Sequence, residues 1–264
     1  MMLKRLLSGS VLGAIVFAVT WYGGLVFSIA LAVIAALGAF EFYKIIDISK
    51  KQPLAIIGTI GVLLFILVAH FEMKYTTTLL AAVIVLPLIW AIFQPDTKNA
   101  ASNWAWLLAG MLYIGWMLSH FIPLRALDGG RDWALLAIIT CVACDITAFV
   151  IGSKWGRHRM IPRISPSKTW EGTVGGFIGA VAAALILATI LPTIDIPYWQ
   201  AAVLGMLVGI FGPLGDLAES MLKRNAGVKD SGHMVPGHGG MLDRMDSILF
   251  TVVVVYYYVI WVVM

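Results

Sequence analysis

The chain has 264 residues, 61% of them hydrophobic and only 12% charged, with a formal net charge of +4. Soluble domains run at about 45–50% apolar and about 25% charged, so this composition, with a mean hydropathy of +0.93, excludes an ordinary soluble globule and equally a disordered, collagen-like or disulfide-scaffold chain. Lipid is the expected main solvent, and the fold class is all-α: a single polytopic integral membrane helical bundle over residues 1–264.

Stretches free of Asp, Glu, Lys and Arg mark the expected spans in chain order: 6–40, 52–71, 75–95, 99–124, 133–153 (interrupted only by Asp145), 172–194, 196–215 and 247–264. A helix rising about 1.5 Å per residue needs about 20 residues to cross a hydrocarbon core of about 30 Å, and most of these stretches are near that length. The first is too long for one crossing. It is either a hairpin turning at Gly23-Gly24, giving about nine helices, or one long tilted span, giving eight. Lys4-Arg5 before an apolar run resembles a signal peptide, but no small-residue cleavage site precedes Trp21 and Tyr22, so the stretch reads as a retained first span.

With nine helices, 15 basic residues fall on one side of the bilayer and 3 (Lys74, Arg125, Arg131) on the other; with eight the split is 13 to 5. Either way the segments 154–168 and 223–244 lie on the positive, cytoplasmic side. Such placement sets orientation, not nucleic-acid affinity, so no nucleic-acid partner is expected. For a chain this compact, a bacterial inner membrane is the simplest location. Residues 1–130 supply N-terminal helices with few reactive groups, and the chemistry collects in 131–264. The two cysteines, Cys141 and Cys144, form a C-x-x-C inside an apolar run and read as buried packing residues, because the second pair of a structural zinc site is missing.

The first polar segment begins with Asp145 inside a span, where an ionisable group costs on the order of 3 kcal/mol and points to function. From Lys154 to Lys168 five basic residues fall in fifteen positions, and Ser165-Pro166-Ser167 leads into an uncharged helix starting near Thr173. Cations and free backbone N–H groups ahead of a helix make an anion site. A simple anchor on anionic headgroups explains the arginines, but it does not explain Glu171 beside Lys168.

The second polar segment holds five acidic and four basic residues between positions 216 and 246. Asp216, Glu219, Ser220 and Lys223 fall at i, i+3, i+4 and i+7, one face of a continuing helix; Asp243 and Asp246 repeat the spacing at the start of the last helix. Carboxylates on two helices at the membrane edge, among cations, suit a hard metal such as Mg2+, which takes one or two carboxylates plus substrate phosphates. Gly237, Gly239 and Gly240 around His238 mark a loop that needs positive φ or close backbone approach.

The run Ser220-x-Leu222-Lys223-Arg224, Lys229-Asp230-x-Gly232, Val235-Pro236-x-His238-Gly239-Gly240-Met241-x-Asp243-Arg244-Met245-Asp246 resembles the C-terminal signature of the phosphatidate cytidylyltransferases, or CDP-diacylglycerol synthases. The upstream run, Asp145-x-x-Ala148-Phe149 through Ile164-Ser165-Pro166-x-Lys168-Thr169-x-Glu171-Gly172, is similar to that family too. Together they cover about a hundred residues. Val235 and Phe149 depart from the family's usual residues but keep apolar bulk.

The resemblance implies that CTP and phosphatidic acid give CDP-diacylglycerol and pyrophosphate with Mg2+, a second cation being open. The nucleophile is then an already anionic lipid phosphate, so the reaction needs charge neutralisation more than a general base. On this reading Asp216, Asp243 and Asp246 are metal ligands, with Glu219 and Asp230 behind them. Lys223, Arg224, Lys229 and Arg244 hold phosphates. Ser165, Lys168, Glu171 and Ser220 contact lipid phosphate or triphosphate, and His238 donates to the departing pyrophosphate. Two other readings stand beside it: a cation- or proton-coupled carrier built on Asp145, and a CTP-dependent polyprenol kinase, which would need a group to take up a hydroxyl proton. Gly175-Gly176-x2-Gly179 permits close helix packing within the chain or between copies, so a homodimer stays open.

Overall fold

The computed structural model describes residues 2–46, 52–71, 73–93, 98–232 and 239–264. Its long helices are α1 (Met2–Tyr22), α2 (Gly24–Ile45), α3 (Gln52–Phe71), α4 (Thr76–Ile92) and α5 (Ala100–Gly110); a π-helical segment at Met111–Trp116 joins α5 to the short α6 (Met117–Ser119) and α7 (Phe121–Ala126). After these come α8 (Gly130–Trp155), the strands β1 (Arg159–Ile161) and β2 (Ser165–Thr169), α9 (Trp170–Ile190), α10 (Tyr198–Asn225) and α11 (Leu242–Tyr258). The protein is thus an all-α polytopic membrane protein with, among the described residues, one small antiparallel hairpin, in which Arg159 pairs with Thr169 and Ile161 with Ser165.

The long first stretch breaks at the glycine pair. Gly23 and Gly24 have φ of 71° and 55°, a region open to glycine at little steric cost, and two helices result. By length and composition, seven helices among the described residues can cross a membrane, while Val11–Tyr22 and Thr76–Ile92 are shorter apolar helices. Nine is therefore reached only by counting those two. Lys50 and Lys51, which enter the charge count, lie outside the described residues.

The chain forms two compact units. One comprises Met1–Pro123 with Asp230–Leu242. Its core includes Tyr43, fully buried where the glycines of α3 and α5 leave room: the hydroxyl donates to the Leu107 carbonyl at 2.9 Å, and a Cβ at Gly110 would lie 2.5 Å from that hydroxyl.

The other unit comprises Leu124–Lys229 with Asp243–Met264. Here α9 packs on α8 and α10 through small residues. A Cβ at Gly176 would sit 3.0 Å from the Cys144 carbonyl oxygen, and one at Gly209 would sit 3.0 Å from the Phe177 Cα. The glycines of Gly175-Gly176-x2-Gly179 thus serve contact within the chain, against α8. Cys141 and Cys144 are both buried and unbridged, as packing residues should be. Gly176→Leu forces four heavy atoms into this seam, so the apparent Tm in detergent should fall, in line with an overpacking cost of about 1–3 kcal/mol; an unchanged melting curve would mean the seam can open freely.

The hairpin and the start of α9 differ from expectation for a local reason. The Thr169 side chain accepts from the Gly172 N–H at 3.2 Å, which caps the helix, so α9 begins at Trp170 and not near Thr173. Glu171 then lies in the first turn and holds His158: its Oε1 is 2.6 Å from His158 Nδ1, and both oxygens accept from the His158 backbone N–H at 3.2 Å.

Candidate active site

Because α10 continues through Pro213 to Asn225, Asp216, Glu219, Ser220 and Lys223 do share a face. Ser220 donates to Asp216 Oδ1 at 3.3 Å. Each acidic group on this face is met by a lysine. Lys168, delivered by β2, places Nζ 2.6 Å from Asp216 Oδ2 and 3.4 Å from the Pro213 carbonyl oxygen. Lys223 pairs with Glu219 one turn before it and reaches Asp243 Oδ1 on α11 at 2.6 Å.

Helices α10 and α11 come close at Gly215, where a Cβ would lie 2.5 Å from the Asp246 carbonyl oxygen. Any larger residue there would push the two carboxylate-bearing helices apart. Asp246, one turn after Asp243, takes the Ser247 N–H at 2.7 Å and has Asp216, Glu219 and Asp145 as electrostatic neighbours. Asp145 reaches the same cluster from α8: it faces the charges of Asp216, Lys168 and Arg244, with Ser247 beside it. Three helices and one strand of the same unit thus converge on one charged cluster.

The other expected residues are placed as follows. Arg224 is exposed, and its guanidinium donates to the Ile164 carbonyl at 3.3 Å and the Val228 carbonyl at 2.9 Å, tying the hairpin turn to the end of α10. Ser165 is half-buried at the start of β2, Lys229, Asp230 and Arg244 are exposed, and Glu171 is engaged with His158. Val235, Pro236, Gly237 and His238 lie outside the described residues. Of the loop glycines, Gly239 has φ 85°, and Gly240 is needed for close approach, since a Cβ there would sit 2.5 Å from Glu41 Oε2.

Two buried polar residues escape a motif reading. Ser247, which lies beside Asp145 and donates its backbone N–H to Asp246, follows the last signature aspartate and looks like the first residue of an apolar span. Glu41 is only 2% exposed, and its signal is a carboxylate closing an otherwise apolar run, a position easily taken for a helix flank.

In charge terms the cluster is unbalanced. Among the described residues, Asp145, Asp216, Glu219, Asp243 and Asp246 face Lys168, Lys223 and Arg244, a surplus of two carboxylates, and Glu219 Oε1 is buried without a hydrogen-bond partner there. Such an arrangement binds cations and polyanions together: spare carboxylates for a hard cation, lysines and arginine for phosphate oxygens.

Comparison with known proteins points the same way. A family model described as "Cytidylyltransferase family" matches residues 3–262. The chain is 35% identical over 286 residues to a phosphatidate cytidylyltransferase of Synechocystis sp., covering 97% of this chain and 96% of that protein. It is 34% identical over 271 residues to the phosphatidate cytidylyltransferase of Bacillus subtilis, with 97% of both chains covered. To that of Brucella abortus it is 31% identical over 256 residues, covering 96% of this chain and 91% of the relative. The charged cluster, the long apolar helices and these matches over nearly the whole length agree, and the chain belongs to the cytidylyltransferase family, making it a nucleotidyltransferase.

Proposed function

We propose that the protein transfers the cytidylyl group of CTP to phosphatidic acid, giving CDP-diacylglycerol and pyrophosphate at the cytoplasmic face of a bacterial inner membrane. The observation that carries this reading is the joining of Lys168, Asp216, Lys223, Asp243 and Asp246 into one partly buried cluster, supported by the names of the relatives.

In this reaction an oxygen of the lipid phosphate forms a bond to the α-phosphorus of CTP, and the bond from that phosphorus to the bridging oxygen of the β-phosphate breaks. The lipid phosphate is anionic at neutral pH and needs no strong base. What the site must do is hold two polyanions together against their repulsion. Lys168 and Lys223 sit where they can exchange a carboxylate partner for a phosphate oxygen, and exposed Arg244, Arg224 and Lys229 extend the cationic surface. Ser165 and Ser220 offer hydroxyl donors, and Glu171 keeps the hairpin closed through His158 so that Lys168 stays in place. His238 is the proposed donor to the leaving pyrophosphate.

The donor set fits Mg2+ by its chemistry: all ligands are hard oxygens and the cluster carries a surplus of two carboxylates. Among the described residues no group of three or more His, Cys, Asp or Glu is placed to hold an ion by itself, so an ion here would be held by one or two carboxylates and completed by substrate phosphates. Those one or two carboxylates would come from Asp216, Asp243 and Asp246, with Glu219 and Asp145 behind them. Once bound, the ion supplies Lewis-acid stabilisation of the charge on the reacting phosphates.

Purified protein in detergent, given labelled CTP, phosphatidic acid and Mg2+, should yield labelled liponucleotide and pyrophosphate. Release of CDP with a phosphorylated alcohol, or no turnover of CTP, would overturn the proposal.

A further inference from the structure

Glu41 belongs to α2, in the half of the chain without signature residues, yet it is 2% exposed, and among the described residues its partners are a backbone N–H and a hydroxyl. Its Oε2 accepts from the Leu242 backbone N–H at 2.8 Å and from the Ser231 hydroxyl at 3.2 Å. Oε1 is buried without a hydrogen-bond partner among the described residues. Two glycines form the cradle: a Cβ at Gly232 would lie 2.6 Å from Oε1, and one at Gly240 would lie 2.5 Å from Oε2. Neither Gly232 nor Gly240 has a positive φ, so both are glycines because the carboxylate, joined at Gly240 by the Ser231 hydroxyl that it holds, leaves no room for a side chain.

These partners have a definite place in the chain. Ser231 and Gly232 end the descent from α10, Gly240 and Leu242 lead into α11, and Leu242 is the first residue of that helix. Its N–H is one of the four at a helix start that lack an intrahelical acceptor. A carboxylate there both satisfies the donor and favours the helix dipole. The residue one peptide bond further on is Asp243, followed by Arg244.

We infer that Glu41 is a positioning residue for the reaction proposed above: one buried carboxylate pins both ends of the 231–242 loop and fixes the first turn of α11, which sets where Asp243, Arg244 and Asp246 stand. The inference rests on that activity, but its structural half does not. Glu41 touches no substrate and supplies no proton. Its role is that of an acceptor oxygen, so a neutral amide of the same shape should serve nearly as well, while the loss of that oxygen should free the start of the helix.

The test uses full-length protein in detergent and reads three things: amide hydrogen exchange in peptides covering 230–250, thermal unfolding, and kcat and KM for CTP. In Glu41→Ala, exchange at the start of α11 should rise at least about tenfold and kcat should fall at least about tenfold, the effect of one lost hydrogen bond to a charged group, with KM for CTP within about threefold. Glu41→Gln should stay within about threefold of the parent in both exchange and kcat. Unchanged exchange or unchanged kcat in a folded Glu41→Ala protein overturns the inference, as does a Gln variant damaged as badly as the Ala one. Should Glu41→Ala fail to accumulate, Glu41→Asp withdraws the carboxylate by one methylene and reads the same way: faster exchange and lower kcat support the assignment, and parental values overturn it. If the parent protein makes no liponucleotide, the activity proposal falls, while the exchange shift still reports whether Glu41 holds the loop.

Discussion

Asp246→Asn should lower turnover by on the order of a thousandfold while leaving the protein folded, a loss typical of removing one preorganised electrostatic contact to a reacting phosphate. Asparagine has the same shape as aspartate and keeps the oxygen that accepts from the Ser247 N–H, so local packing survives. What disappears is one negative charge from a set in which Asp246 faces Asp216, Glu219 and Asp145. Those groups repel one another, so without a cation the variant should be at least as stable as the parent. With Mg2+ the order should reverse: the ion should raise the parent's Tm by mass action and raise the variant's less. Initial rates at saturating CTP and phosphatidic acid, with melting curves in Mg2+ and in chelator, check both halves. Near-parental turnover would remove Asp246 from the site, and an equal Mg2+ response in both proteins would remove it from the proposed ligand set.

Much of this cluster is legible in the sequence, because helical periodicity is a strong local rule. The i, i+3, i+4, i+7 spacing of Asp216, Glu219, Ser220 and Lys223 needs only an unbroken helix to become a shared face, and α10 is unbroken despite Pro213. The pairings are another matter. Nothing in local spacing says that Lys168 meets Asp216 or that Lys223 reaches Asp243, since those contacts depend on how a hairpin and three helices pack. The hairpin itself was hidden in a stretch of basic residues whose strand character comes from pairing, not from alternation of apolar side chains. Asp145 announces itself through the cost of burying a charge, although its partners come from three other elements. Glu41 leaves no such trace, as its significance lies in a loop about two hundred positions away and in two glycines whose small size makes room for the carboxylate and the hydroxyl that it holds. The span count shows the same limit: composition finds apolar runs, but Val11–Tyr22 and Thr76–Ile92 are too short for length alone to decide.

Lys223→Met should be costly to stability as well as to activity, and the reason separates it from Lys168. Lys223 is held between Glu219 and Asp243, with side-chain exposures of 11%, 1% and 12% for the three residues. Methionine keeps much of the aliphatic stem and removes only the ammonium, leaving two carboxylates close together with little water to screen them. Removing one partner of a buried ion pair typically costs about 3–5 kcal/mol, because the uncompensated charge remains. The apparent Tm in detergent should therefore drop sharply, and turnover should fall with it, since Asp243 loses the group that orients it. Neutralising the more buried neighbour offers a specific rescue: Lys223→Met combined with Glu219→Gln should recover a large part of the lost stability, a non-additivity expected of directly contacting charges, while turnover stays low because the Lys223 ammonium is still missing from the cations that meet the substrate phosphates. At Lys168 the ion pair is more open, with exposures of 21% and 32% for Lys168 and Asp216, so Lys168→Met should cost less stability and still impair turnover. If Lys223→Met melts like the parent, the clasp around its ammonium contributes nothing; if the double variant regains full turnover, the lysine serves only to balance charge and takes no part in holding phosphate.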